Sequence, residues 1–184
     1  KAQWESIFAN ELQGLPILRV IVTHMHPDHI GLAHWLCERW KVRLWISATD
    51  YQVARMGCMG WSQGGYISAF LTTNTNRFKA ISVGAGISNW VTYYVNTDIT
   101  PFTRQYLQAN PWTDMNVYLK TSPMTNISKA STPTLIQHGE FDRRVPIPNA
   151  YELYRGLQDR KIPSKLIVYK GFGHGINKPK ERLA

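Results

Sequence analysis

Cysteine is scarce. Only Cys37 and Cys58 occur in 184 residues, too few for a disulfide framework. Both read as small buried apolar side chains, and a reducing, cytoplasmic setting suits them better than an oxidising one. Long apolar runs are missing as well. No stretch approaches the roughly 18 apolar residues of a membrane span, and no charged-then-apolar leader opens the chain, so a soluble protein without a membrane partner is expected. Acidic residues are few, 12 against 21 Lys and Arg, for a net charge of +9. This excess favours anionic ligands through long-range attraction. The basic residues are nevertheless scattered through both halves, and no zinc-finger, basic-helix or aromatic RNA-binding signature accompanies them, so nucleic acid is not an expected partner. Internal repeats and linker-like tracts are also lacking. With 43% hydrophobic and 18% charged residues the composition is that of an ordinary globular protein, and the length suits a single α/β domain over residues 1–184.

Residues 15–23 (LPILRVIVT) form a short apolar, β-branched run that suits a buried parallel strand. Over residues 29–40 the period changes: Ala33, Leu36, Cys37 and Trp40 recur at helical spacing, with Glu38 and Arg39 on a wet face. Val42, Leu44 and Ile46 then alternate with Arg43, Trp45 and Ser47, a second strand that completes a β-α-β unit. A third strand is expected just before Ser62, then a helix opening at Gly64 and Gly65, and a fourth strand at 79–84. Between 88 and 131, Trp90, Tyr93, Tyr94, Phe102, Tyr106 and Trp112 are interrupted by Pro101, Pro111 and Pro123, which predicts short helices forming a cap or pocket wall. Residues 134–138 and 165–169 read as strands, separated by an amphipathic helix over about 149–160.

Gly60-Trp61-Ser62-Gln63-Gly64-Gly65 sets the pattern G-x-S-x-G between a predicted strand and helix. In that context the glycines let the chain turn sharply, Ser62 projects its hydroxyl, and the Gln63 N–H faces a developing oxyanion near the helix start. An ordinary Gly-rich turn would also fit a lone match. Two further segments narrow the choice. His138-Gly139-Glu140-Phe141-Asp142 follows one strand and Gly171-Phe172-Gly173-His174-Gly175 follows the last, giving the order Ser, acid, His. A serine hydroxyl is a poor nucleophile unless a histidine takes its proton, and that histidine needs a carboxylate to hold its tautomer. Ser62, Asp142 and His174 are therefore the candidate triad.

The neighbouring residues carry a resemblance. GWSQGGY, SPMTNISKASTPTLIQHGEFDRRVP and LIVYKGFGHGI look like successive blocks of the prolyl oligopeptidase family, over residues of about 56–184. The resemblance implies that Ser62, Asp142 and His174 are catalytic, that the substrate is a short peptide or related ester or amide, and that no cofactor is required. It further implies that Arg144 grips a substrate carbonyl and that Trp90 and Tyr93 line the pocket for the side chain before the scissile bond. A solvated charge and aromatic core packing are the alternatives for these three.

Thr23-His24-Met25-His26-Pro27-Asp28-His29 contains H-x-H-x-D-H and resembles the metallo-β-lactamase superfamily of zinc-dependent hydrolases. His24 and His26 are spaced to reach one metal, and Asp28 and His29 to serve a second. That family draws further ligands from later in its chain, and no recognisable segment supplies them here. A retained turn in which Asp28 caps the following helix is the other reading.

The resemblance changes at about residues 48–56, so the chain reads as a chimera of a 1–50 segment and a 56–184 segment. The upstream half-domain of a complete peptidase is not recognisable in it, and weak activity is the expectation. The fold expected is a three-layer, mostly parallel sheet of about six strands, a truncated α/β-hydrolase-like arrangement in which 15–47 extend the peptidase-derived sheet. An open sheet edge would invite a second copy of the chain as a homodimer. The alternatives to a serine hydrolase are a zinc hydrolase and a folded chimera without catalysis.

Overall fold

The structure, a computed structural model, describes residues 2–12, 15–24 and 27–178, without the side chains of 2, 27, 28 and 53–55. The chain divides into two compact units, Lys1–Tyr51 and Gln52–Ala184.

In the first unit helix α1 (Ala2–Asn10) precedes strand β1 (Val20–Ile21), the short helices α2 (Pro27–Ile30) and α3 (Ala33–Trp40), and strand β2 (Leu44–Trp45). The expected β-α-β unit is present, with β1 and β2 parallel and Val20 opposite Leu44. Its strands are much shorter than the apolar runs that announce them. Pro16 cannot donate to a ladder, and Leu15, Leu18, Ile21 and Trp45 remain exposed. Helix α1 is not anticipated by any apolar period. What holds it is aromatic packing: Phe8 is buried, stacked on Trp35 and edge-on to Trp40 of α3, while Arg39 makes two hydrogen bonds to the Glu5 carboxylate. Helix α4 (Ala48–Met56) leads into the second unit.

The second unit is built on four parallel strands in the order β3 (Gly57–Trp61), β4 (Ala80–Gly84), β5 (Thr134–Gly139) and β6 (Ser164–Tyr169). Six strands are thus described, as expected, but they fall into sheets of two and four and not into one. Helix α5 (Gln63–Asn74) crosses from β3 to β4 and α9 (Pro148–Asp159) from β5 to β6. Their side chains Ala69, Ala150, Leu153 and Leu157 share one core with Cys58, Ile81, Val83 and Ile136 of the strands. Both crossover helices therefore cover the same sheet face. The cause is the strand order. Successive same-handed crossovers that always step in one direction put every helix on one side, and a second helical layer needs the order to reverse.

Between β4 and β5 lie α6 (Trp90–Asn96), α7 (Thr100–Leu107), α8 (Met115–Thr121) and a 3-10 segment, Pro123–Lys129. Asn89 caps α6 by accepting from Val91 N–H, and Asp114 caps α8 by accepting from Val117 N–H. These helices close a second, aromatic core of Tyr66, Trp90, Tyr93, Tyr94, Tyr118 and Val145. Helix α5 sits between the two cores, so it is apolar or small nearly all round. Two of its buried hydroxyls are satisfied at home, Thr72 donating to Ser68 O and Thr73 to Phe70 O, while Ser68 Oγ meets Cys58 Sγ of β3. No described helix is long and apolar enough to cross a membrane.

His138, near the end of β5, is wholly buried. Its Nε2 lies 2.7 Å from the Val145 carbonyl, so Nε2 carries the proton and donates it. Burial pushes the imidazole below its ordinary value of 6.5, overriding the Val145 carbonyl and the Asp142 charge, which act the other way. The folded protein thus refuses a proton that the unfolded chain accepts, and stability present at neutral pH is lost as pH falls below 6.5 toward the depressed folded value. His138→Gln, which keeps a donor for Val145, should flatten this decline in urea unfolding curves. The slopes should differ by at most about 1.4 kcal/mol per pH unit, and identical slopes would show that His138 protonates without penalty.

Candidate active site

The strand-to-helix turn is built around a strained residue. Ser62 has φ 59° and ψ −117°, a backbone conformation that costs an L-residue about 1–3 kcal/mol. Two hydrogen bonds hold it there, from Ser62 N–H to Gly84 O and from Tyr66 N–H to Ser62 O, both 2.9 Å. Close backbone approach explains two of the three glycines: a Cβ on Gly60 would overlap the Gly64 carbonyl, and one on Gly65 would overlap the Gly84 carbonyl. A Cβ on Gly64 would meet open space. The Gln63 N–H belongs to the first turn of a 12-residue helix, where donors have no intrahelical acceptor and the dipole favours negative charge.

The structure brings the three predicted side chains into one hydrogen-bonded chain. His174 Nε2 is 2.8 Å from Ser62 Oγ, across 112 positions, and His174 Nδ1 is 2.8 Å from Asp142 Oδ2, across 32. A carboxylate accepts only, so Nδ1 carries the proton and Nε2 is left to accept from the serine hydroxyl. The Asp142 side chain is fully buried. Its Oδ1 accepts from Arg144 N–H and Val145 N–H at 2.9 Å each, and its Oδ2 lies 3.5 Å from His138 Nε2.

Backbone contacts join the acid and histidine loops. Phe141 N–H donates to Phe172 O and Glu140 N–H to Tyr169 O, and Gly171 N–H donates to the Glu140 carboxylate. A Cβ on Gly139 would overlap the Gly173 carbonyl, so the loops touch at their bases. Trp61, the residue before the serine, donates its indole N–H to His174 O at 2.9 Å.

A cleft of ≈ 290 Å³ opens beside Ser62, Gln63 and His174, walled by Ile87, Tyr93, Ile99, Phe102, Arg144 and Val145. Tyr93 and Arg144 therefore line the cleft. Trp90 does not: it is wholly buried, edge-on to Tyr66 and Tyr93 and stacked on Tyr106, and supports the wall from behind. Arg144 is half-exposed and ion-paired with Asp98 at 3.0 Å, so its charge is compensated. The Gln63 side chain donates to Tyr106 OH. Ile87, Ile99 and Val145 escape sequence reasoning because nothing marks an aliphatic wall residue apart from a core one. Asn149 escapes it too, though this buried amide accepts from Ser88 and Asn89 N–H and donates to Pro146 O.

Of the proposed metal ligands, His24 and His29 are the two whose side chains are described. The His24 and His29 rings lie 3.9 Å apart between centroids, and His24 Nδ1 is 3.0 Å from Thr23 Oγ1. His26 and the side chain of Asp28 lie outside the described residues. Among the described residues no three His, Cys, Asp or Glu side chains gather into a metal-binding group. The described donors therefore give the zinc expectation no support.

Comparison with known proteins places this geometry. The metallo-β-lactamase superfamily model matches residues 1–71, and the prolyl oligopeptidase family model matches residues 41–184. The uncharacterized peptidase YuxL of Bacillus subtilis is 32% identical over 133 residues, 70% of this chain and 20% of that protein. The acylamino-acid-releasing enzyme of Homo sapiens is 29% identical over 162 residues, 82% and 22% of the two chains, and dipeptidyl-peptidase 5 of Porphyromonas gingivalis 30% identical over 134 residues, 70% and 20%. The solved acylaminoacyl peptidase of Pyrococcus horikoshii superimposes with a TM-score of 0.66 at 29% identity, over 70% of this chain and 22% of that one. The chain spans about a fifth of the length of these curated relatives. With the elbow, the acid loop and the histidine loop all inside a match that covers most of its length, the chain belongs to the prolyl oligopeptidase family.

Proposed function

We propose that this chain hydrolyses esters and amides of short acylated peptides by acyl transfer through Ser62. The observation that carries the reading is the continuous hydrogen-bonded chain from Ser62 through His174 to Asp142. As Ser62 Oγ bonds to the substrate carbonyl carbon, its proton passes to His174 Nε2, and Asp142 stabilises the imidazolium. The carbonyl electrons move onto oxygen, where the Gln63 N–H donates. Collapse of that intermediate expels the amine or alcohol with the proton from His174. Water then repeats the sequence on the acyl-serine, releasing the acid. Serine hydrolases of this family need no cofactor.

The cleft supports an apolar, uncharged acyl group. Its walls are largely aliphatic and aromatic, they include no carboxylate, and Arg144 already has Asp98 as a partner. A free substrate ammonium would find no counter-charge among these wall residues, which favours the blocked substrates named for the acylamino-acid-releasing relatives over the free amino termini implied by a dipeptidyl-peptidase. The two cysteines, both unpaired, support a reducing, cytoplasmic setting. The matches at 1–71 and 41–184 support a chain joined from two families.

Two tests follow from this reading. A fluorophosphonate should label Ser62 stoichiometrically, Ser62→Ala should lose both labelling and ester turnover, and Asp142→Asn should lower kcat by about four orders of magnitude through the wrong tautomer; a folded wild type that resists the label would reject the function. N-acetyl-phenylalanine esters should be turned over at least about tenfold faster, as kcat/KM, than the same esters with a free amine; the reverse preference would reject the cleft assignment alone. We propose as well that residues 1–184 form a single α/β domain. The described apolar side chains buried in the first unit are Phe8, Val22 and Ala33, too small a core to fold by itself. Calorimetry should therefore give one transition, and two resolved transitions would mark two domains.

A further inference from the structure

Trp61 is a residue that the proposed reaction does not use and the structure does. It ends β3, so its backbone leads directly into the strained Ser62. Its indole lies so close over the end of β4 that a Cβ on Gly84 would overlap the six-membered ring. Gly84 is also the residue whose carbonyl accepts from Ser62 N–H. From that position the indole N–H reaches the main-chain carbonyl of His174 at 2.9 Å, across 113 positions. One side chain thus joins the elbow, the adjacent strand and the histidine loop.

We propose that Trp61 is a positioning residue: its indole N–H fixes the height of the His174 main chain so that the ring spans Ser62 and Asp142 at once. The inference rests on the acyl-transfer reading for its kinetic consequence and on geometry alone for its structural one. His174 lies five residues beyond the end of β6 at Tyr169, and the last backbone bond from the acid loop is made at Phe172. Beyond it the chain has left the sheet. A loop carbonyl that drifts by an ångström carries the imidazole with it, and hydrogen bonds of 2.8 Å to both Ser62 and Asp142 tolerate little such movement. The cleft walls do not include Trp61, so its effect falls on the chemical step and not on substrate binding. The nature of the side chain fits this role. A phenylalanine would retain the packing over Gly84 but could not donate, and a lysine or arginine would donate without a rigid ring to set the distance.

The test removes the donor and keeps the ring. Trp61→Phe, and site-specific replacement of Trp61 by benzothienylalanine, which exchanges the indole N–H for sulfur at nearly unchanged shape, are compared with the wild type. Both should lower kcat for an acetylated phenylalanine ester by roughly tenfold while leaving KM within about twofold, the loss expected for one orienting hydrogen bond. The proton NMR line of His174 Nδ1–H, shifted far downfield by the buried Asp142 carboxylate, should be sharp in the wild type and broadened by solvent exchange in both variants. Unchanged kcat with an unchanged line would overturn the proposal. So would a rise in KM at constant kcat, which would make Trp61 a cleft residue. A wild type without the downfield line would also overturn it, since there would be no fixed imidazole to position. If Trp61→Phe unfolds, the benzothienylalanine protein decides. A wild type that shows the line but neither turnover nor fluorophosphonate labelling would sink the proposed function and leave the positioning of His174 to be read from the line alone.

Discussion

Ser62 is held at φ 59°, on the side of φ space that L-residues avoid, and the rest of the second unit is arranged so that it has no alternative. A strain of about 1–3 kcal/mol persists only where surrounding packing over-determines it. Here the determinant is α5. It is clamped between the sheet core through Ala69 and the aromatic core through Tyr66, and its first turn is pressed so near β4 that only glycine fits at position 65. If Ser62 relaxed to negative φ, the helix would have to leave one core or the other. Burial of side chains such as Tyr66 and Ala69 thus maintains a local conformation that is unfavourable taken alone. The hydroxyl is thereby aimed out of the turn toward His174.

The buried Asp142 charge imposes the second requirement. A carboxylate removed from water needs nearly all of its acceptor capacity filled. Oδ1 takes two backbone N–H groups and Oδ2 takes His174. The turn that supplies those N–H groups also presents the Val145 carbonyl to His138. His138 responds to the same burial by staying neutral, so the pocket behind the triad holds one negative charge and no buried cation competing with His174 for it. The acid is therefore available, in the proposed reaction, to stabilise the positive charge that His174 would acquire on taking the serine proton.

How far all this could be read from sequence depends on the range of the interactions involved. The elbow is legible because its demand is local: a positive-φ serine with glycines in close approach leaves a mark within six residues. The strands of the second unit are legible because β-branched apolar runs at 79–84, 134–138 and 165–169 are buried in a ladder with neighbours, whereas the equally apolar 15–23 run yields only Val20–Ile21, cut short by Pro16 and by a single two-residue partner. Trp90 admits both a wall and a core reading and is core, since a tryptophan facing a cleft and one packed behind it leave the same trace. Asp98, Asn149 and Trp61 leave none. Their partners are 46, 61 and 113 positions away, and a hydrogen bond across such distances has no period. The side on which each crossover helix packs is silent for a related reason: which sheet face a helix covers follows from strand order, and no local pattern encodes strand order.

The cap shows how those silent polar residues shape an apolar cleft. Tyr106 accepts from Gln63, Thr97 donates to Arg144 O, Asp98 pairs with the Arg144 guanidinium, and Asn149 ties the loop after β4 to the start of α9. These links run from the cap and the loop after β4 to the elbow, the acid loop and α9, so the cap cannot shift without breaking bonds to the segments that carry Ser62 and Asp142. Ile87, Tyr93, Ile99, Phe102 and Val145 are left to present their apolar surfaces to the cleft. A wall fixed in this way pays its ordering entropy on folding and not on binding. Under the proposed reading, discrimination between substrates would then rest on shape and on the absence of an unpaired charge, both properties of a cleft that is set beforehand.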